Sequence, residues 1–301
     1  MSACQALVEI VDAYVQEHGL RKDTTRREVF APVPGCPCAY APFLKFTEFI
    51  QHVLRGNPIY LANVRRASEM ESYLRKDGVS AFPSLELDHT LLSFSDGVVV
   101  LPEGRFVATP GGVATPELEG RVAGHHIPQE YMASSGAPLM DALIERQLGV
   151  GPDGPDELVE TLYALIGRML VPPSARAEAW DVEPILVGRS STGKSTLVHV
   201  VNKLFSDLSP VLRDGRRGAH EPRAAVFEFG RPVKPNEVDT TLPSRIVSAE
   251  LPSIVTRCLG AYLGLVEKAG GRDFWAICPP SLVNVDPSSY SRGWSRDKLY
   301  Y

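Results

Sequence analysis

Eight consecutive residues concentrate the chemistry of this 301-residue chain: Gly188-Arg189-Ser190-Ser191-Thr192-Gly193-Lys194-Ser195. They fit the spacing G-x-x-x-x-G-K-[ST], a P-loop. Glycines at these positions let the backbone turn its N–H groups inward around phosphate oxygens, and a helix beginning just after adds its positive end to that field. Lys194 is placed to reach β- and γ-phosphates, and the Ser195 hydroxyl to take one position on Mg²⁺. The stretch Gly188 to Thr196 is therefore the candidate site for ATP with Mg²⁺, and Lys194 its candidate catalytic cation.

The motif works only between a strand and a helix. Ile185, Leu186 and Val187 supply a short apolar strand before it. Leu197, Val200, Val201, Leu204 and Phe205 give one apolar helical face after it. ATP hydrolysis further needs a carboxylate at the end of a neighbouring strand. The next strand-like run is Ala224–Phe229, with Glu228 near its end as a degenerate candidate. Only residues 207–223 separate this run from the preceding helix, fewer than the ~30 of a full βαβ unit, so a core strand is expected to be missing. The same segment holds Arg213, Arg216, Arg217 and Arg223, a solvated basic loop or a source of phosphate contacts.

Upstream, residues 1–80 read as mostly helical. Leu7, Ile10, Val11 and Tyr14 lie on one helical face over 5–18, and Phe43, Phe46, Ile50, Val53 and Leu54 on another over 43–54, with a third helix over 59–76. The Pro/Cys-rich APVPGCPCAYAP reads as a break between the first two. From Phe82 the runs LLSF, GVVVL and RFVAT, separated by turns at 95–97 and 102–104, predict a small β-meander. A Gly/Pro-rich loop follows over 110–124, then a short helix over 138–148. A second helix opens at Pro155 and stops at Pro172-Pro173. The expected organisation is a helical region (1–80), a lead-in region (81–175) and the P-loop core (176–301).

Composition bounds the rest. An apolar fraction of 44% and a charged fraction of 22% describe a globular chain. No apolar run is long enough for a membrane span, and the N-terminus carries acids where a signal peptide carries bases, which predicts an intracellular protein. The net charge of −5 restricts nucleic-acid contact to local basic patches. Five cysteines do not suggest a disulfide framework, and Cys36-Pro-Cys38 lacks a second Cys/His pair at zinc spacing. His125 and His126 read as surface residues of a glycine-flanked loop. Phe274 and Trp275 read as core, and a helix from Ser248 has Pro252 in its first turn.

Several collinear segments together resemble the superfamily 3 helicases of the poxvirus, giant-virus and phage or plasmid primase–helicase type. HTLLSFSDGVVVLPEGRFV (89–107) is similar to the line preceding that family's ATPase core, with Ser95-Asp96-Gly97 where an Asn-Gly pair is usual. LYALIGRML (162–170), Trp180 and EPILVGRSSTGKST resemble its helix, tryptophan and Walker A sequence. PRAAVFEFGRPV, VDTTLPSRIVSAELPSIVTRCLGAYL and GRDFWAICPPSL resemble the segments downstream of the core in the giant-virus branch. The likeness spans residues 82–285. It implies an α/β fold with an AAA+-like P-loop NTPase core, a homo-oligomeric ring, and ATP-driven movement on single-stranded DNA in replication. It also implies Arg223, with Arg217 as the other candidate, as the arginine finger. No segment resembles the family's Walker B acids, its sensor asparagine or an upstream primase domain, so the core is read as internally deleted. The expected function is an ATP-binding helicase-like protein. The alternatives are a non-catalytic relic that binds nucleotide or a helicase subunit, and a small-molecule P-loop kinase.

Overall fold

Helix α1 (Ala3–His18) buries Leu7, Val11 and Val15 against Phe46, Phe49, Ile50 and Leu54 of α2 (Phe46–Leu54) and Met70 and Leu74 of α3 (Arg65–Arg75). A computed structural model describes residues 3–58, 65–76, 82–101, 103–132, 136–148, 157–206, 223–282 and 295–298. The chain is mixed helix and sheet. It divides into two units, 1–98 with 108–126, and 99–107 with 127–301.

The first unit is less helical than its periodicity suggests. Strands β1 (Arg21–Asp23), β2 (Glu28–Pro32) and β3 (Tyr40–Lys45) form an antiparallel sheet in that order. The stretch read as a break is therefore part of a hairpin, and Phe43 lies in β3 rather than in α2. Lys22, 1% exposed on β1, donates from Nζ to the carbonyls of Leu74 and Lys76, both at 2.9 Å. These are carbonyls at the end of α3, where a cation satisfies unpaired acceptors and opposes the helix dipole. β4 (Asp88–Ser93), β5 (Gly97–Val100) and β6 (Arg105–Ala108) are the three short strands predicted from the turn signals. β4 pairs in parallel with β7 (Ala123–His126), which ties the 108–126 segment to the N-terminal unit and moves the division away from residue 80. That pairing also corrects the reading of His125: on β7 it is 3% exposed.

In the second unit α4 (Pro138–Leu148) and α5 (Glu157–Leu170) pack on α7 (Leu242–Ala269), so the 138–170 segment belongs with the C-terminal elements. The α5–α7 contact is a backbone approach. A Cβ on Gly167 would stand 1.9 Å from the Cys258 carbonyl oxygen. Glu250 of α7, 5% exposed, accepts the N–H of Leu139 at 2.8 Å and of Met140 at 3.0 Å, capping α4 with a carboxylate. Helix α7 begins before Ser248, and Pro252 lies within it rather than in its first turn.

The sheet of this unit has β8 (Val182–Gly188) in the middle, β9 (Arg223–Phe229) parallel on one side and β10 (Ser295–Lys298) antiparallel on the other. Helix α6 (Lys194–Ser206) follows β8. β9 pairs with β8 without a register shift, from Val182↔Arg223 to Gly188↔Phe229. The short 207–222 connection therefore serves a β8–α6–β9 unit whose two strands are neighbours, and this pairing needs no strand between them. Glu178, ahead of β8, accepts from Arg168 Nε at 2.9 Å, the Trp180 N–H at 2.6 Å and the Tyr262 hydroxyl at 3.0 Å, so its buried charge is fully partnered.

Candidate functional site

The residues 188–196 connect the C-terminal end of β8 to the first turn of α6. Gly188 has φ +153°, and a Cβ there would meet the Phe229 carbonyl oxygen at 2.1 Å. The close pairing with β9 thus requires glycine at the loop's entrance. Ser191 (φ +59°) and Gly193 (φ +80°) provide two further reversals. The loop is tied across by the Val233 N–H, which donates to the Ser191 carbonyl at 2.8 Å, and by the Thr192 hydroxyl, which donates to Arg189 O at 2.9 Å.

Lys194 is 4% exposed. Its ammonium donates to the carbonyls of Gly188 at 3.1 Å and Arg189 at 2.7 Å, and to Thr192 Oγ1 at 3.3 Å. A cation held by the loop's own acceptors is conformationally defined, and its three donors can be redistributed to an incoming anion. Ser195 is exposed in the first turn of α6, one residue further on.

Ser190 to Thr196 form one wall of a cavity of about 550 Å³. Helix α4 forms a second wall, with Leu139, Leu143, Arg146 and Gln147. Residues 233–242 form the third, with Glu237 and Asp239. Gln147 braces two of these walls: it donates to Arg231 O at 2.9 Å and accepts the Arg231 N–H at 3.1 Å. Arg146 pairs with Glu237 at 3.3 Å across the cavity. Asp239 accepts from the Thr241 hydroxyl at 2.6 Å and the Thr241 N–H at 2.8 Å, and pairs with Arg245 at 2.9 Å. The hydrogen bonds from Thr241, then the Arg245 charge, hold its carboxyl below the ordinary carboxylate range.

Gly188, Arg189, Ser190, Ser191, Thr192, Gly193, Lys194, Ser195 and Thr196 are thus gathered in one loop, seven of them (Ser190 to Thr196) lining one cavity. Arg223 lies elsewhere. Arg223 pairs with Val182 at the opposite end of β8 from Gly188, about 20 Å away at 3.3 Å per residue. There it lies 4.3 Å from the Trp275 ring centroid and 3.9 Å from Asp273. Glu228, exposed on β9 opposite Val187, lines an adjoining cavity with Leu158 and Leu282. Arg217, with Arg213 and Arg216, lies outside the described residues.

No sequence motif marks Arg146, Glu237 or Asp239. Each is more than forty residues from Lys194, and only the packing of α4 and the return of the chain after β9 bring them to the loop. Among the described residues no group of three His, Cys, Asp or Glu side chains could hold a metal ion. Cys36 and Cys38 are buried free thiols, both pushed up in pKa by burial. No helix among the described residues is long and apolar enough to cross a membrane. No protein-family model matches the chain, and no curated protein matches it.

Proposed function

We propose that the chain binds a nucleoside triphosphate at residues 188–196, as a P-loop protein akin to the superfamily 3 helicases. One observation carries this: Lys194 is held on the carbonyls of a glycine loop that joins a parallel strand to a helix and opens on a cavity of about 550 Å³. The cavity has room for a ligand of nucleotide size. Lys194 and the first N–H groups of α6 would take the phosphates. Mg²⁺ ordinarily binds through one or two carboxylates plus substrate phosphates and water. The Ser195 hydroxyl, with Asp239 on the facing wall, is a donor set of that kind, and it needs no three-residue protein cage. ATP is the expected nucleotide, because the resemblance over 82–285 is to ATP-driven motors that act on single-stranded DNA as homo-oligomeric rings. In such a ring Arg223, distant from its own loop, could serve only the nucleotide of a neighbouring subunit.

A second reading has a specific observation behind it. Glu228, the acid nearest the end of β9, does not line the loop's cavity. The chain would then bind nucleotide, or a helicase subunit, without turnover. Steady-state ATP hydrolysis by wild type and Lys194→Ala, with and without single-stranded DNA, separates the two. DNA-stimulated turnover lost in the variant supports the motor. Nucleotide binding with turnover no higher than the variant's supports the non-hydrolysing binder.

A further inference from the structure

The Arg146–Glu237 pair is the one ion pair whose two members both line the cavity of the 188–196 loop among the described residues. Arg146 extends from the last turn of α4, and Glu237 lies on the facing wall. The pair spans the space between them with one contact at 3.3 Å, and each side chain is between two-fifths and one-half exposed. Such a pair is weak, because water competes for both partners. The terminal phosphate of a triphosphate offers a guanidinium more charge and a better-matched acceptor fork than one carboxylate does.

Helix α4 is well fixed for this purpose. Glu250 caps its start, the Tyr163 hydroxyl donates to Asp141 at 2.6 Å in its first turn, and buried Gln147 holds the residue after Arg146 to Arg231. Only the Arg146 side chain need move.

We propose that Arg146 is a phosphate-reading cation and Glu237 its latch. A triphosphate displaces Glu237 from Arg146, whereas a diphosphate, lacking the terminal group, leaves the pair closed. The cavity would thereby discriminate between nucleotides before and after hydrolysis, whether or not this chain performs that hydrolysis itself. This inference rests on the nucleotide-binding reading of the loop.

The test is equilibrium titration with fluorescently labelled ATP and ADP, using wild type, Lys194→Ala, Arg146→Ala, Glu237→Gln and the Arg146→Ala/Glu237→Gln double variant. Both latch residues are surface-accessible, so the fold should survive, and circular dichroism checks it. Arg146→Ala should weaken ATP binding by about tenfold or more, the worth of one charge-assisted contact, and change ADP binding by less than about threefold. Glu237→Gln should act in the opposite direction and tighten ATP binding, because it removes the competitor. In the double variant the glutamine should have no further effect, because the arginine it competed for is gone. Equal losses for ATP and ADP in Arg146→Ala, or weaker ATP binding in Glu237→Gln, overturn the latch while leaving the loop's role intact. Unchanged binding in Lys194→Ala, or no binding by wild type, overturns the loop reading and the latch with it.

Discussion

Gly188 and Gly193 are equivalent as motif positions, yet the structure ranks them differently. At Gly188 a Cβ would lie 2.1 Å from the Phe229 carbonyl oxygen and 3.0 Å from its carbon, both backbone atoms of β9. Relief requires β8 and β9 to separate by about 1 Å, an overpacking cost of about 1–3 kcal/mol. The φ of +153° adds about 1–3 kcal/mol for any residue with a side chain. Gly188→Ala should therefore cost about 2–6 kcal/mol, a large share of the roughly 5–15 kcal/mol available to a typical domain. At Gly193 the obstacle is Leu143 Cδ1 at 2.6 Å, the end of a side chain that can rotate away. There φ of +80° leaves a conformational cost of about 1–2 kcal/mol. Urea unfolding followed by tryptophan fluorescence would measure both variants against wild type. A Gly188→Ala midpoint equal to or above that of Gly193→Ala would refute the close pairing of β8 with β9.

Three further outcomes are expected from the packing and the charges. Burial, followed by the charges of His89 and Arg26, lowers the His125 pKa from 6.5 to about 4. The unfolded chain therefore takes up a proton first, so this contribution is complete above pH 6.5 and is lost as pH falls from 6.5 towards 4. It amounts to about 3 kcal/mol, and His125→Phe should flatten the acid limb of the stability–pH curve relative to wild type. Gly167→Ala should destabilise by about 1–3 kcal/mol through its clash with the α7 backbone, whereas Gly264→Ala, with open space around its Cβ, should be neutral or stabilising by up to about 1 kcal/mol; thermal unfolding of the two variants reads the difference in sign. Glu250→Ala should cost about 1–3 kcal/mol by uncapping α4, and hydrogen exchange should show lost protection concentrated at Leu139 and Met140, whose N–H groups it accepts.

Local signals account for the elements nearest the site. An apolar run, a glycine loop and a helical face in direct succession define β8, residues 188–196 and α6, and the 138–148 helix has the bounds its pattern predicts. The first unit is less legible. β1 is three residues of charge, RKD, and β3 alternates poorly because four of its six residues are exposed, so neither carries the period of a half-buried strand. His125 escapes a local reading because its burial comes from a parallel pairing with β4, more than thirty residues earlier, which no local pattern announces. The same is true of Arg146 and Glu237. An exposed arginine on a helix and an exposed acid in a Pro-Asn-Glu turn are ordinary surface residues until the fold sets them around one cavity.

The most direct test of the central claim is calorimetric titration of Mg-ATP into wild type and into Lys194→Ala. Binding at one site per chain that is lost in the variant is the result expected of a phosphate-binding loop at 188–196. Equal heats and stoichiometry in the two proteins would contradict it.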